Sequence, residues 1–210
     1  MRIFLDDVDY RQFVYLLGEV VEEGEVECWN YCVMPNHYHA TLKPERPNLS
    51  EAMRCLNGDY ALWWNKRHQR VGHTLQGRFK AQIVEQGAYL LTLCRYVVMN
   101  PVRAGLVAHP EEWPWSSYRA TVGLCPSPPF LATSSVLRLF GDDDTTSRAR
   151  FAQFVKGEPD DASLVERIRS NEQILGTAAF KKWVKAAGQR TETTGVVPAV
   201  EQTHEINEST

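Results

Sequence analysis

The chain has 210 residues, 43% of them hydrophobic and 23% charged, with a formal net charge of −3. That length suits one domain of ordinary size plus an appendage, and the apolar share is enough for a packed core. No apolar run is long enough to span a bilayer. The opening residues Met1 to Asp7 lack the apolar region of a secretory signal. The chain therefore reads as cytoplasmic, with no membrane partner. Cys28, Cys32, Cys55, Cys94 and Cys125 show no CxxC spacing. They read as reduced thiols rather than a disulfide framework or a zinc site.

A net acidic chain is a poor nucleic-acid binder on charge alone, but the charge is unevenly spread. Residues 1–27 are strongly acidic. Residues 53–103 carry Arg54, Lys66, Arg67, Arg70, Arg78, Lys80, Arg95 and Arg103 against only Asp59 and Glu85. This basic block is interleaved with Tyr60, Trp63, Trp64 and Phe79, a pattern suited to phosphates and bases. The alternative is a solvated charged face.

In chain order, Asp6 is an N-cap for a helix from Asp7 to about Val21. Asp7 and Asp9 suit its positive end, and Val8, Phe13, Leu16, Leu17, Val20 and Val21 form its apolar stripe. Val26 to Met34 reads as a strand, with Trp29, Tyr31 and Val33 on one face and Cys28 and Cys32 together on a face. Pro35 and Asn36 make a turn. His37 to Lys43 is the partner strand, ended by Pro44 and Pro47. Asn48 and Glu51 form a capping-box-like start to a helix reaching about Arg67, with Met53, Leu56, Tyr60 and Trp63 or Trp64 inward. Leu75 to Glu85 alternates like a strand, placing Arg78, Lys80 and Gln82 on one face. Ala88 to Asn100 is a helix that must stop near Pro101. On it Tyr89, Thr92, Tyr96 and Asn100 share a face, and Gly105 suits a left-handed stop. Residues 113–118 form an aromatic anchor. Three helical segments follow at about 134–140, 146–156 and 161–186. Beyond 188 the Thr-, Glu- and Gly-rich chain reads as disordered.

The pair His37 and His39 is the chemical focus. Residues at i and i+2 of a strand point the same way, so two imidazoles stand on one sheet face and Tyr38 on the other. Such a pair is half a divalent-metal site, or a pair of surface histidines. Asn100 offers a neutral oxygen ligand. Tyr96, one turn earlier, offers an oxygen nucleophile. A free tyrosine, with a pKa near ~10, is weak at neutral pH, and a metal that polarises the electrophile makes it competent. A metal hydrolase of small substrates would need a water-activating carboxylate near the histidines, and the strands just described show no obvious one.

Several stretches together resemble the single-tyrosine HUH transposases, closest to the REP-associated tyrosine transposases of bacteria. They are residues 34–39 (Met-Pro-Asn-His-Tyr-His), 57–60, 72–80, 95–105 (Arg-Tyr-Val-Val-Met-Asn-Pro-Val-Arg-Ala-Gly) and 114–118. The resemblance covers about residues 3–120, more loosely to 186. It implies an α+β fold, a small antiparallel sheet flanked by helices and related to the ferredoxin-like fold. It implies that His37, His39 and Asn100 hold Mg²⁺ or Mn²⁺ and that Tyr96 becomes joined to the 5′-phosphate of cleaved DNA. Arg78, Lys80 and Arg103 fall where phosphate contacts are expected. The partner implied is hairpin-forming single-stranded DNA, handled by a monomer or homodimer.

The organisation that follows is a catalytic domain over residues 1–125, a helical segment over 126–187 and a tail over 188–210. Similar proteins begin with one more strand, which pairs inside the sheet near the histidines. Its absence before Ile3 and Phe4 predicts either a start lying upstream or a truncated, non-catalytic DNA-binding copy.

Overall fold

The computed structural model describes residues 2–75, 79–157, 162–187 and 196–203. Asp6 begins the first helix as its sequence requires: its carboxylate accepts from the backbone N–H groups of Val8 and Asp9, two donors the helix itself leaves unpaired. That helix is α1, Asp7–Glu23, followed by strands β1, Val26–Val33, and β2, His37–Pro44. Helix α2, Leu49–His68, strand β3, Lys80–Glu85, and helix α3, Ala88–Val98, come next. A short helix α4 covers Asn100–Arg103, with Pro101 in its first turn, where a missing N–H costs nothing. Small helices follow: α5, Tyr118–Thr121; α6, Thr133–Leu137; α7, Asp144–Lys156; and α8, Ala162–Arg169. Strand β4, Ile174–Leu175, helix α9, Ala178–Ala187, and strand β5, Val196–Thr203, complete the order.

The fold is α+β: one five-stranded sheet, in the order β1-β2-β5-β3-β4, with helices on both faces. All neighbours are antiparallel except β3 and β4. One face carries α1 and α2 over Tyr31, Val33, Tyr38, Ala40 and Leu42. The other carries α3, α7 and α8 over Cys32, Met34 and Val84. The helical segment beyond 126 is thus built into the second core. Gln82 bonds the carbonyls of Ile168 and Glu172, and Arg95 Nε donates to Val155 O.

Three details depart from the sequence reading. A bulge between Cys28 and Asn30 inserts one residue into β1. Bulges shift the alternation, so Trp29 joins the second core while Tyr31 and Val33 stay in the first. Cys28 and Cys32 fall on opposite faces for the same reason. Val8 is 43% exposed, and Tyr10 is buried in its place. Asn48 makes no side-chain cap; its amide nitrogen donates to Gly24 O and ties α2 to the end of α1.

The largest departure is β5. Disorder is predicted beyond 188, but residues 196–203 form a strand inserted between β2 and β3 and paired to both. Residues 188–195 and 204–210 lie outside the described residues. One outer edge, β1, is covered by the aromatic segment. Val33 N–H donates to Trp115 O, Ser117 N–H donates to Tyr31 O, and the Trp113 indole N–H donates to Val33 O. Trp115 stacks on Tyr10 at 4.8 Å.

Candidate active site

Strand β2 sets the two histidines on one face, as the period of two demands. Tyr38, between them, goes the other way and donates its hydroxyl to Asn57 Oδ1 on α2 at 2.7 Å. The imidazoles converge: His37 Nε2 and His39 Nε2 are 3.0 Å apart. Two ligands each ~2.1 Å from one octahedral ion, at a right angle, stand about 3 Å apart, so this spacing fits shared coordination.

The protonation pattern favours the same use. His37 Nδ1 lies 2.8 Å from Asn36 Oδ1. An amide oxygen only accepts, so Nδ1 carries the proton and Nε2 presents a lone pair. Burial pushes the His37 pKa down to about 4. Burial also drives His39 well below its usual value, helped by the positive charges of His37 and Arg103. Both rings are therefore neutral at pH 7, the form that binds metal. Asn36, the last residue of the turn, is a site residue the sequence reading took only for its backbone. Its place just before the first histidine was the available signal.

Helix α3 brings Tyr96 over this pair. The Tyr96 and His39 ring centroids are 5.8 Å apart, edge to face. Arg103, on α4, lays its guanidinium carbon 4.4 Å from the Tyr96 ring centre and donates from Nη1 to Tyr96 O at 2.9 Å. Desolvation lowers the Arg103 pKa, while the Tyr96 side chain opposes that shift. A cation over a phenol ring favours the phenolate. Tyr89, the other candidate on that face, goes elsewhere: the Arg167 guanidinium lies 5.7 Å from its ring.

Asn100 sits at the start of α4, past a break at Met99. Its amide nitrogen donates to Tyr96 O at 2.9 Å and to Val97 O at 3.3 Å. Any ligand role therefore falls to Oδ1. Lys80 opens β3 and is exposed, in register with Glu201 of β5, which in turn is in register with His39. Arg78 lies outside the described residues.

The basic block is less basic than its composition implies. Arg67 pairs with Asp6 at 2.7 Å and with the fully buried Asp9. His68 Nε2 is 2.9 Å from the same Asp9 carboxylate. Arg95 is 7% exposed. Arg67 and His68 are thus engaged by acids of α1, and Arg95 is buried in the second core. Among the described residues, no group of three His, Cys, Asp or Glu side chains could hold a metal, and no helix is long and apolar enough to cross a membrane.

Neither the curated proteins nor the solved structures contain a match to the chain. A family model described as "Transposase IS200 like" matches residues 2–100. That span runs from the N-terminal anchor through both histidines and Tyr96 to Asn100. By this match, residues 2–100 are similar to the IS200-like transposases.

Proposed function

We propose that the protein is a divalent-metal-dependent DNA transposase of the REP-associated kind, cleaving and rejoining hairpin-forming single strands through Tyr96. The observation that carries this reading is the convergence of His37, His39 and Tyr96 from two different elements. Two neutral imidazoles with converging nitrogens support a metal there, and Asn100 would offer its amide oxygen as a third ligand. His37, His39 and Asn100 would hold Mg²⁺ or Mn²⁺, which would supply positive charge at the scissile phosphate.

The chain's own residues do the rest. Tyr96 Oη attacks phosphorus as the bond to the 3′ oxygen breaks. This leaves a 5′-phosphotyrosine link and a free 3′ hydroxyl, to which the phenolic proton is relayed. Attack on the link by another 3′ hydroxyl restores a phosphodiester and returns the proton to Tyr96. The two ester bonds are of similar energy, so rejoining needs no ATP. Arg103, against the Tyr96 ring, favours the phenolate and offers a fork for phosphate oxygens, with Arg78 and Lys80 as further phosphate contacts.

The competing reading, a non-catalytic DNA-binding remnant, rested on an unbraced histidine strand. Strand β2 is paired along both edges, which supports the catalytic reading over the remnant. The test is incubation of the protein with a hairpin-bearing single strand and Mn²⁺. A covalent adduct forms with wild type and is absent with Tyr96→Phe. An adduct retained by Tyr96→Phe, or none with wild type, defeats the mechanism.

A further inference from the structure

We propose that Arg169, on α8, is a phosphate-binding residue of the DNA site, acting beside Arg103 on the strand that Tyr96 attacks. The inference rests on Tyr96 being the nucleophile. It extends the site into the helical segment beyond residue 126. Helix α8 is fixed alongside the helix that carries Tyr96. Leu164 and Ile168, one turn apart, are buried in the same core as Leu93 and Val97 of α3. The carbonyl of Ile168 accepts from Gln82 on β3, so the last turn of α8 is tied to the sheet as well. Arg167 and Arg169 flank Ile168 in sequence. The Arg167 guanidinium lies 5.7 Å from the ring of Tyr89, which shares a helix face with Tyr96 two turns on. Helix α8 thus borders the tyrosine face of α3.

Two arginines of this neighbourhood are already engaged. Arg167 Nε donates to Glu172 at 2.6 Å, and the buried Arg95 donates to Val155 O. Arg103 and Arg169 differ from them. A guanidinium has five N–H donors, and Arg103 gives one to the Tyr96 carbonyl. The ion pair of Arg169 with Glu166 is 3.9 Å long and joins two largely exposed side chains, a kind that contributes little. After desolvation, the charges of Arg169 and Arg95 stand close enough to Arg103 to work against its ionised form. Cations set together repel one another, and an anion between them turns that repulsion into attraction. A single strand carries a phosphate on every nucleotide, and a strand laid against Tyr96 supplies that anion. The planar forks of two arginines suit its oxygens.

The experiment measures binding and cleavage separately. The full chain is titrated with a hairpin-bearing single strand in EDTA at several salt concentrations, and adduct formation is followed with Mn²⁺. Arg169→Gln is expected to melt like wild type and to bind the strand about tenfold more weakly. Its salt slope is expected to fall by about 0.7, the share of one phosphate contact on a single strand. Arg138→Gln, which removes an equal charge from the end of α6, is expected to change affinity by less than about twofold. Arg169→Gln combined with Arg103→Gln is expected to lose less than the product of the two single losses, since both residues serve one phosphate. Should Arg169→Gln melt early, Arg169→Met, which keeps the apolar stem, is measured in its place. Unchanged affinity and salt slope in the Arg169 variant, with adduct still formed by wild type, overturn this inference and leave the Tyr96 reading standing. A wild type that forms no adduct overturns both.

Discussion

His39 and Tyr96 meet edge to face at 5.8 Å, one from the sheet and one from the helix laid across it. That contact separates Tyr96 from Tyr89, which shares its helix face but stands against Arg167. Tyr89→Phe is therefore expected to form the covalent DNA adduct at within about twofold of the wild-type rate, since no group at the histidine pair is altered. Adduct yield on a denaturing gel checks this, and loss of the adduct in Tyr89→Phe would transfer the nucleophile role.

Asn36 holds His37 through Nδ1 and so fixes which nitrogen faces the site. Asn36→Ala frees the ring to turn and to change tautomer. Orienting partners of this kind are worth about 10–100-fold in metal affinity. The expected loss is in that range in a Mn²⁺ titration, with thermal stability in EDTA nearly unchanged. An affinity equal to wild type would mean that the ring is held by packing alone.

Arg67 is a structural cation. Asp9 is fully buried and depends on Arg67, His68 and the Leu5 N–H for its hydrogen bonds. Arg67→Met leaves that carboxylate short of a partner and is expected to lower the urea midpoint of unfolding. Adding Asp9→Asn should return part of the loss, because the stranded charge is then gone. An unchanged midpoint in Arg67→Met would place Arg67 among the surface ion pairs.

Acid should unfold the metal-free protein early. The folded pKa of His37 is about 4 against a usual 6.5, because the buried ring resists protonation. As pH falls below 6.5 the unfolded chain takes up that proton first. Stability is full above about 6.5 and falls until the folded group titrates near 4. His37 alone accounts for on the order of 3 kcal/mol, and His39 acts in the same direction. Asp6, held at about 2 first by Arg67, loses its contribution only below its usual value of 3.8. Urea midpoints measured in EDTA from pH 7.5 to 4.5 should fall steadily; a flat profile would contradict the burial of the pair.

Local chemistry was readable where it has a short period or a specific end group. The same-face placement of His37 and His39, the N-cap at Asp6 and the inward Tyr60 all follow from neighbours in sequence, whereas the choice between Trp63 and Trp64 needed the structure, which buries Trp64. What the sequence hid was pairing at a distance. Nothing in residues 53–103 announces that Arg67 is claimed by acids of α1. Strand β5 gives the opposite of a strand signal: Pro198 stands within it, opposite Ile83, where a proline normally argues against an interior strand. The bulge at Trp29 is equally silent, because one extra residue in β1 leaves no mark on composition.

The late position of β5 also orders the molecule's assembly in time. The histidine strand leaves the ribosome early, with α1, β1 and α2 ready to pack around it. Its other edge, and that of β3, wait as open hydrogen-bonding rows until residues 196–203 emerge. Such long-range closure slows folding, and unpaired edges are the surfaces through which nascent chains stick to one another. The histidine strand is thus among the first parts made and the last to be sealed.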